Sequence, residues 1–216
     1  MTLMEVKSRG KYFIAEARRQ HEMDAQEIYT KMFSDPQYAK EGPRLFRYDW
    51  AIEYLLSTHC SNATTVCDIG SGRGDFVKRL IETNRKLRIT AIDVSNFHGQ
   101  EGICHLNVDL NDLTGVGSLL LHRFDFGACL DVLEHLCADR IDFVLSAISQ
   151  SCRNVAATIA NHSEIHDGIQ LHTIQENSDW WSDRVSKHFQ IVRYATHYNS
   201  RLYAFWLKSH HSSDMI

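Results

Sequence analysis

The chain has 216 residues, close to one ordinary domain of roughly 100–200 residues, and is long enough to bury a core without disulfide or metal staples. Its 44% hydrophobic and 23% charged residues, with only two prolines and eleven glycines, exclude a disordered or fibrous chain. Lys and Arg number 23 against 27 Asp and Glu, and this net charge of −4 gives no basic footprint for a protein living on nucleic-acid phosphates. The six cysteines, Cys60, Cys67, Cys104, Cys129, Cys137 and Cys152, show no C-x-x-C spacing. Several sit inside apolar runs, where a free thiol is a small buried hydrophobe, so a reducing, cytoplasmic setting is expected. Residues 1–19 carry mixed charge without an apolar signal core, and no apolar run approaches the roughly 18 residues of a spanning helix.

In chain order, residues 11–32 predict a charged helix that ends before Ser34, Asp35 and Pro36. Residues 44–58 predict a second helix from the recurrence of Leu45, Phe46, Trp50, Ala51, Tyr54 and Leu55. Tyr29, Tyr38, Arg44 and Tyr48 on these helices are candidates for a lid, while Lys7, Arg9, Lys11, Arg18 and Arg19 read as a solvated face. Strands are expected at 64–69, 87–92, 103–108, 124–130 and 154–160, with helices at 75–84, 118–122 and 132–150 between them. A polar, histidine-rich stretch covers 161–177, a helix 180–187, and a hairpin-like strand pair 189–196 and 201–208, with a frayed tail from Ser209. This alternation implies an α/β fold with a doubly wound, mostly parallel seven-stranded sheet of Rossmann type, an antiparallel C-terminal strand and an N-terminal helical lid. The expected division is 1–60 for the lid, 61–208 for the sheet domain and 209–216 for the tail.

In such sheets a ligand sits outside the carboxyl ends of the strands at the switch point. Four acids, Asp68, Asp93, Asp109 and Asp131, fall at or beside those ends. The first strand runs into Gly70-Ser71-Gly72-Arg73-Gly74, a turn where glycine allows a ligand close to the backbone. Its spacing is G-x-G-x-G rather than that of a dinucleotide fingerprint, and Asp75 behind it opposes a pyrophosphate at the helix N-terminus. Asp93 lies about 20 residues downstream of the turn, where an acid can accept both hydroxyls of a ribose.

Val66 to Gly74, then Ala91-Ile92-Asp93-Val94, Asp109-Leu110 and Asp131-Val132-Leu133-Glu134-His135-Leu136, resemble the motif series of class I S-adenosylmethionine-dependent methyltransferases, above all those acting on small molecules and sugars. The resemblance covers residues 66–159. It implies that Gly70, Ser71, Gly72 and Gly74 wrap the methionine part of S-adenosylmethionine, with Asp68 toward its ammonium and the Leu130 carbonyl beside it. Asp93 would hold the ribose diol, Val94 would pack under the adenine, and Asp109 and Leu110 would meet the adenine edge. Arg73 departs from the small or apolar residue common at its position. S-adenosylhomocysteine would be the product.

The acceptor implied is a small polar molecule, a hydroxyl of a sugar or glycan, with no membrane or nucleic-acid partner indicated. A hydroxyl calls for a base, and His135, His162, His166 and His172 are the candidates. Glu164 and Asp167 share the loop with three of these, but the loop has no defining ligand spacing, so no metal set is assigned. Trp180-Trp181 suits either a sugar platform or core packing. Transfer to nitrogen or to a macromolecule, a non-catalytic cofactor-binding module and a nicotinamide dehydrogenase remain the alternatives.

Overall fold

The computed structural model describes residues 25–36, 46–58, 65–95 and 102–211. Two helices come first, α1 (Ala25–Ser34) and α2 (Phe46–Ser57). Then follow β1 (Thr65–Ile69), α3 (Asp75–Thr83), β2 (Arg88–Asp93), β3 (Cys104–Asn107), α4 (Leu113–Leu119), β4 (Phe124–Leu130), α5 (Ile141–Ser151) and β5 (Cys152–Ala160). A short hairpin, β6 (Ile165–His166) and β7 (Ile169–Gln170), precedes α6 (Ser178–Ser186), β8 (Phe189–His197) and β9 (Leu202–Ser209).

The main sheet has seven strands in the order β3-β2-β1-β4-β5-β9-β8. Strands β1 to β5 pair in parallel, and β9 runs antiparallel to both of its neighbours. The expected doubly wound sheet is therefore present, with its reversed strand inserted between β5 and β8. The chain leaves β1 toward β2 on one side and reaches β4 on the other, so the crevice of the switch point opens at the carboxyl ends of β1 and β4.

Alternation along the strands divides the core between two faces. Val66, Phe126 and Ala156 pack with Tyr48, Ala51 and Leu55 of α2 and Phe76, Val77 and Leu80 of α3. Cys67, Ile69, Cys129, Val155, Ala157 and Ile159 pack on the opposite face with α4, α5 and α6. Tyr54 of α2 stacks on Trp206 of β9, centroids 4.8 Å apart, and its hydroxyl donates to the Leu207 carbonyl. That clamp fixes α2, and with it Arg47 and Tyr48, against the sheet.

Several expectations are corrected. The helix expected over 132–150 is broken into a single 3-10 turn at Leu133–His135 and α5 from Ile141. The carbonyls that would continue a helix are diverted: Glu134's accepts from Ile174 N–H and the Thr173 hydroxyl, and Leu136's from that same hydroxyl. The helix expected at 118–122 lies instead at Leu113–Leu119, started by Asp112, which accepts from Gly115 N–H. Ser209 is not frayed. It closes β9, is buried, and donates its hydroxyl to the Ser149 carbonyl. Trp181 is fully buried in the core and Trp180 packs under the Arg184 guanidinium, so the pair offers no sugar platform. Residues 11–24, Tyr38, Arg44, Cys60 and the 60/61 boundary lie outside the described residues.

Candidate active site

Two adjoining cavities, about 350 and 110 Å3, open at the switch point and share Phe33, Gly70, Asp131 and His135. The larger is lined by Asp68, Gly70, Ser71, Gly72 and Leu130 on one side and by His135, His162, Glu164 and His172 on the other. The glycine turn between β1 and α3 forms its floor. Gly70 sits at φ 73° and Gly72 at φ 50°, in the left-handed region. Four backbone donors of the turn are taken up within the fold. Gly70 and Ser71 N–H donate to the Ile92 carbonyl, Gly74 N–H to the Ser71 carbonyl, and Gly72 N–H to Asp93 Oδ2 at 2.8 Å. These donors are not available to a phosphate, so a pyrophosphate would meet carboxylates instead.

Asp68, at the last-but-one position of β1, is 2% exposed, and its Oδ2 has no hydrogen-bond partner among the described residues. Burial first, then the nearby Asp93 and Asp75 carboxylates, push its pKa up to about 8. A buried, unpaired carboxyl oxygen at a cavity wall calls for a cationic ligand group.

The smaller cavity is mostly apolar and is lined by Asp93, Val94, Asp109 and Leu110, with Tyr29, Met32 and Phe33 of α1 across its mouth. Asp93 accepts from Gly72 N–H through Oδ2 and from Ser95 N–H through Oδ1, which holds the carboxylate at the cavity edge and ties the turn to β2. Asp109 uses Oδ1 to accept from Asn111 N–H.

At the far end of the larger cavity the histidines gather. His172 is 1% exposed, with its ring centroid 4.7 Å from His135 and 4.8 Å from His162. His135 Nδ1 lies 3.1 Å from the Tyr29 hydroxyl. Burial, reinforced by His172, lowers the His135 pKa to about 3, so the ring stays neutral and is a poor proton acceptor near neutral pH. Beneath it, Glu134 is fully buried and accepts from Ala160 N–H through Oε1. Asp131, at φ 58°, is gripped by Thr158 Oγ1 and by the Arg47 guanidinium of α2.

No protein-family model and no curated relative matches the chain. Solved structures do. The 1,6-didemethyltoxoflavin-N1-methyltransferase of Burkholderia thailandensis, with its substrate and S-adenosylhomocysteine bound, is 16% identical over 87% of this chain and 91% of that one, with a TM-score of 0.59. The N-methyltransferase NodS of Bradyrhizobium japonicum WM9, with S-adenosylhomocysteine, is 10% identical over 87% and 100%, at 0.63. The magnesium protoporphyrin IX methyltransferase of Synechocystis PCC 6803, with S-adenosylmethionine, is 16% identical over 87% and 97%, at 0.60. The fold is that of S-adenosylmethionine-dependent methyltransferases.

On that methyltransferase fold, the residues singled out in the sequence fall into three groups. Asp68, Gly70, Ser71, Gly72, Leu130, His135, His162 and His172 line the larger cavity, and Asp93, Val94, Asp109 and Leu110 the smaller. Gly74 and His166 line neither. Gly74 caps α3 at φ 75°, and His166 stands in β6 with its Nε2 4.0 Å from Asp167. Arg47 is the addition to the larger cavity, where Tyr48, read as a lid candidate, and Glu164 also stand, while Glu134 is buried and lines neither. Arg47 sits in a helix whose pattern reads as packing, and Glu164 is brought to His172 only by the hairpin that follows β5.

Proposed function

We propose that the chain transfers a methyl group from S-adenosylmethionine to a small polar acceptor, a hydroxyl of a sugar or glycan-like molecule. The observation that carries this reading is the acid-rimmed crevice itself: a glycine turn with its donors used internally, beside a buried Asp68 oxygen that lacks a partner. Such a crevice suits a doubly cationic ligand and repels a phosphorylated one. S-adenosylmethionine, when bound, supplies a methyl carbon on sulfonium; the sulfur–carbon bond breaks with its electron pair kept by sulfur while the oxygen–carbon bond forms.

Gly70, Ser71 and Gly72 cradle the methionine portion, Asp68 holds its ammonium, and the Leu130 carbonyl lies alongside. Asp93 takes the ribose diol, with Val94, Asp109 and Leu110 around the adenine. The chain positions the two reactants, an effect worth up to about 7–11 kcal/mol when the reacting atoms are in line. The hydroxyl proton passes to the cluster of His162, Glu164 and His172, all of which line the cavity. His135 accepts from the Tyr29 hydroxyl and positions α1, which serves with α2 as the lid assigned to residues 1–60. The five described cysteines are free, in keeping with a cytoplasmic setting, and no described helix is long and apolar enough to cross a membrane. Nitrogen acceptors are the second reading, favoured by two structural neighbours that are N-methyltransferases.

Mass spectrometry of the purified chain is expected to find an S-adenosyl nucleoside, and methyl-labelled S-adenosylmethionine to label a sugar or polyol pool. Recovery of a phosphorylated nucleotide, with no binding of S-adenosylhomocysteine, would overturn the reading.

Asp68 also predicts a pH profile. With its pKa near 8, the free protein keeps this carboxyl protonated at neutral pH. An ammonium favours the ionised form, so binding expels a proton. The affinity for S-adenosylhomocysteine should therefore rise with pH by about tenfold per unit from pH 6 and level off above 8. The other acids around Asp68 are Asp93 and Asp75, and the nearby thiols Cys67 and Cys129 are themselves pushed up by burial, so they stay neutral across this window. Calorimetry of Asp68→Asn should give a flat profile between pH 6 and 8.

A further inference from the structure

The His172 ring is the pivot of the histidine cluster, in contact with both His135 and His162. Its Nδ1 lies 2.7 Å from the His162 carbonyl oxygen. That oxygen can only accept, so Nδ1 carries a proton and donates it there. The ring's Nε2 is buried, 2.8 Å from Glu164 Oε2, and the pairing holds the Glu164 carboxyl below its usual range. His162 Nδ1 is also buried without a hydrogen-bond partner among the described residues. The donor atoms of His162, Glu164 and His172 all lie within 4.8 Å of one another.

From this geometry we infer that His162, Glu164 and His172 form a binding site for one divalent transition-metal ion at the acceptor end of the larger cavity. Two imidazoles and one carboxylate are the donors that suit Mn2+, Fe2+, Co2+ or Zn2+, whereas Mg2+ and Ca2+ prefer oxygen alone. The proton on His172 Nδ1, given to a backbone carbonyl, is the arrangement that orients a metal-ligating imidazole. Metal–donor bonds of about 2.0–2.2 Å put the donors of one ion about 3 Å apart, a spacing that His172 Nε2 and Glu164 Oε2, at 2.8 Å, already come close to. His172 is the fixed member. His162 is half-buried, and the Glu164 side chain, 37% exposed, has room to rotate inward. A second group, Glu134, His135 and His172, shares the pivotal ring. Its Glu134 Oε1 is committed to Ala160 N–H and His135 Nδ1 to Tyr29, while Glu134 Oε2 is buried without a hydrogen-bond partner among the described residues, so the variants below separate the two groups.

The role of the ion, unlike its binding, rests on the methyltransferase reading. Three protein donors leave positions open toward the cavity, which would take two neighbouring oxygens of a polar acceptor. With the ion bound, these three side chains serve as ligands in place of the direct proton acceptor, and the cation favours loss of the hydroxyl proton to solvent water.

The test uses the chelator-treated full chain titrated with CoCl2 alone and followed by visible absorption and calorimetry. One equivalent of Co2+ is expected, with ligand-field bands between about 500 and 650 nm and a Kd at least 100-fold weaker in His162→Ala and in Glu164→Gln. His166→Ala, outside the cluster, should bind as wild type. Circular dichroism of each variant confirms folding, and Glu164→Gln, at a partly exposed position, keeps the test informative should a histidine variant unfold. No stoichiometric binding overturns the site. So does binding that survives Glu164→Gln but is lost in Glu134→Gln, which would assign the ion to the second group. Titration with S-adenosylhomocysteine runs in parallel: nucleoside binding without Co2+ binding rejects the metal alone, and the reverse rejects the methyltransferase reading alone.

Discussion

Asp93→Ala is expected to weaken S-adenosylhomocysteine binding by about 10²–10⁴-fold, the largest loss from any single site residue. The carboxylate would bond two ribose hydroxyls, and hydrogen bonds to a charged group are worth about 1.5–3 kcal/mol each. Two of them amount to about 3–6 kcal/mol, at about 1.4 kcal/mol per decade of affinity. Asp93 also accepts from Gly72 and Ser95 N–H, both at 2.8 Å, so alanine strips two backbone donors of their acceptor and loosens the turn that floors the larger cavity. The free variant should therefore melt lower than wild type as well. Calorimetry with S-adenosylhomocysteine and a melt of the free protein check both effects. Affinity within threefold of wild type would remove Asp93 from the ribose site and with it the register of the cofactor along the crevice.

Much of the framework was legible in the sequence because its signals are local. The β-branched run before Gly70, the glycine turn and the acids that close β1, β2 and β4 each follow from a short stretch, and the structure sets them together around one crevice. The segment after β4 was not legible. Val132 to Gln150 carries a helical pattern, yet residues 131–140 are pulled off the helix path by bonds from Thr173, Ile174 and Ala160, all distant in sequence. The same long-range bonds decide the histidines. His162, Glu164, His166 and His172 have equal standing in a linear reading, but the hairpin of β6 and β7 turns three of them into the cavity and leaves His166 out. The burial that defeats His135 as a base has the same origin: the ring is closed over by Tyr29 from α1, more than a hundred residues away. Arg47 was unreadable for a further reason, since its contact with Asp131 joins residues 84 positions apart and the apolar pattern of α2 signals packing alone.

Gly70→Ala tests the turn independently of any ligand. The residue sits at φ 73°, and a Cβ there would stand 2.3 Å from Val132 Cγ2. Left-handed backbone costs an alanine about 1–2 kcal/mol, and forcing a methyl into a filled space about 1–3 kcal/mol more. A loss of about 2–5 kcal/mol in chemical denaturation is thus expected, a large share of the stability of an ordinary domain. The two contributions separate in a double-mutant cycle. Val132→Ala removes the blocking methyls, so Gly70→Ala/Val132→Ala should recover the steric part and keep the backbone part, with a favourable coupling of about 1–3 kcal/mol. Absence of coupling would mean that Val132 does not stand against the turn. The contact also has a functional consequence. Val132 lies between Asp131 and the turn ending at His135 and lines the smaller cavity, while Gly70 lines both. A methyl at Gly70 therefore pushes apart the two walls that a nucleoside bound as proposed would touch at once, and the single variant should lose affinity for S-adenosylhomocysteine in proportion to the strain that Val132→Ala relieves.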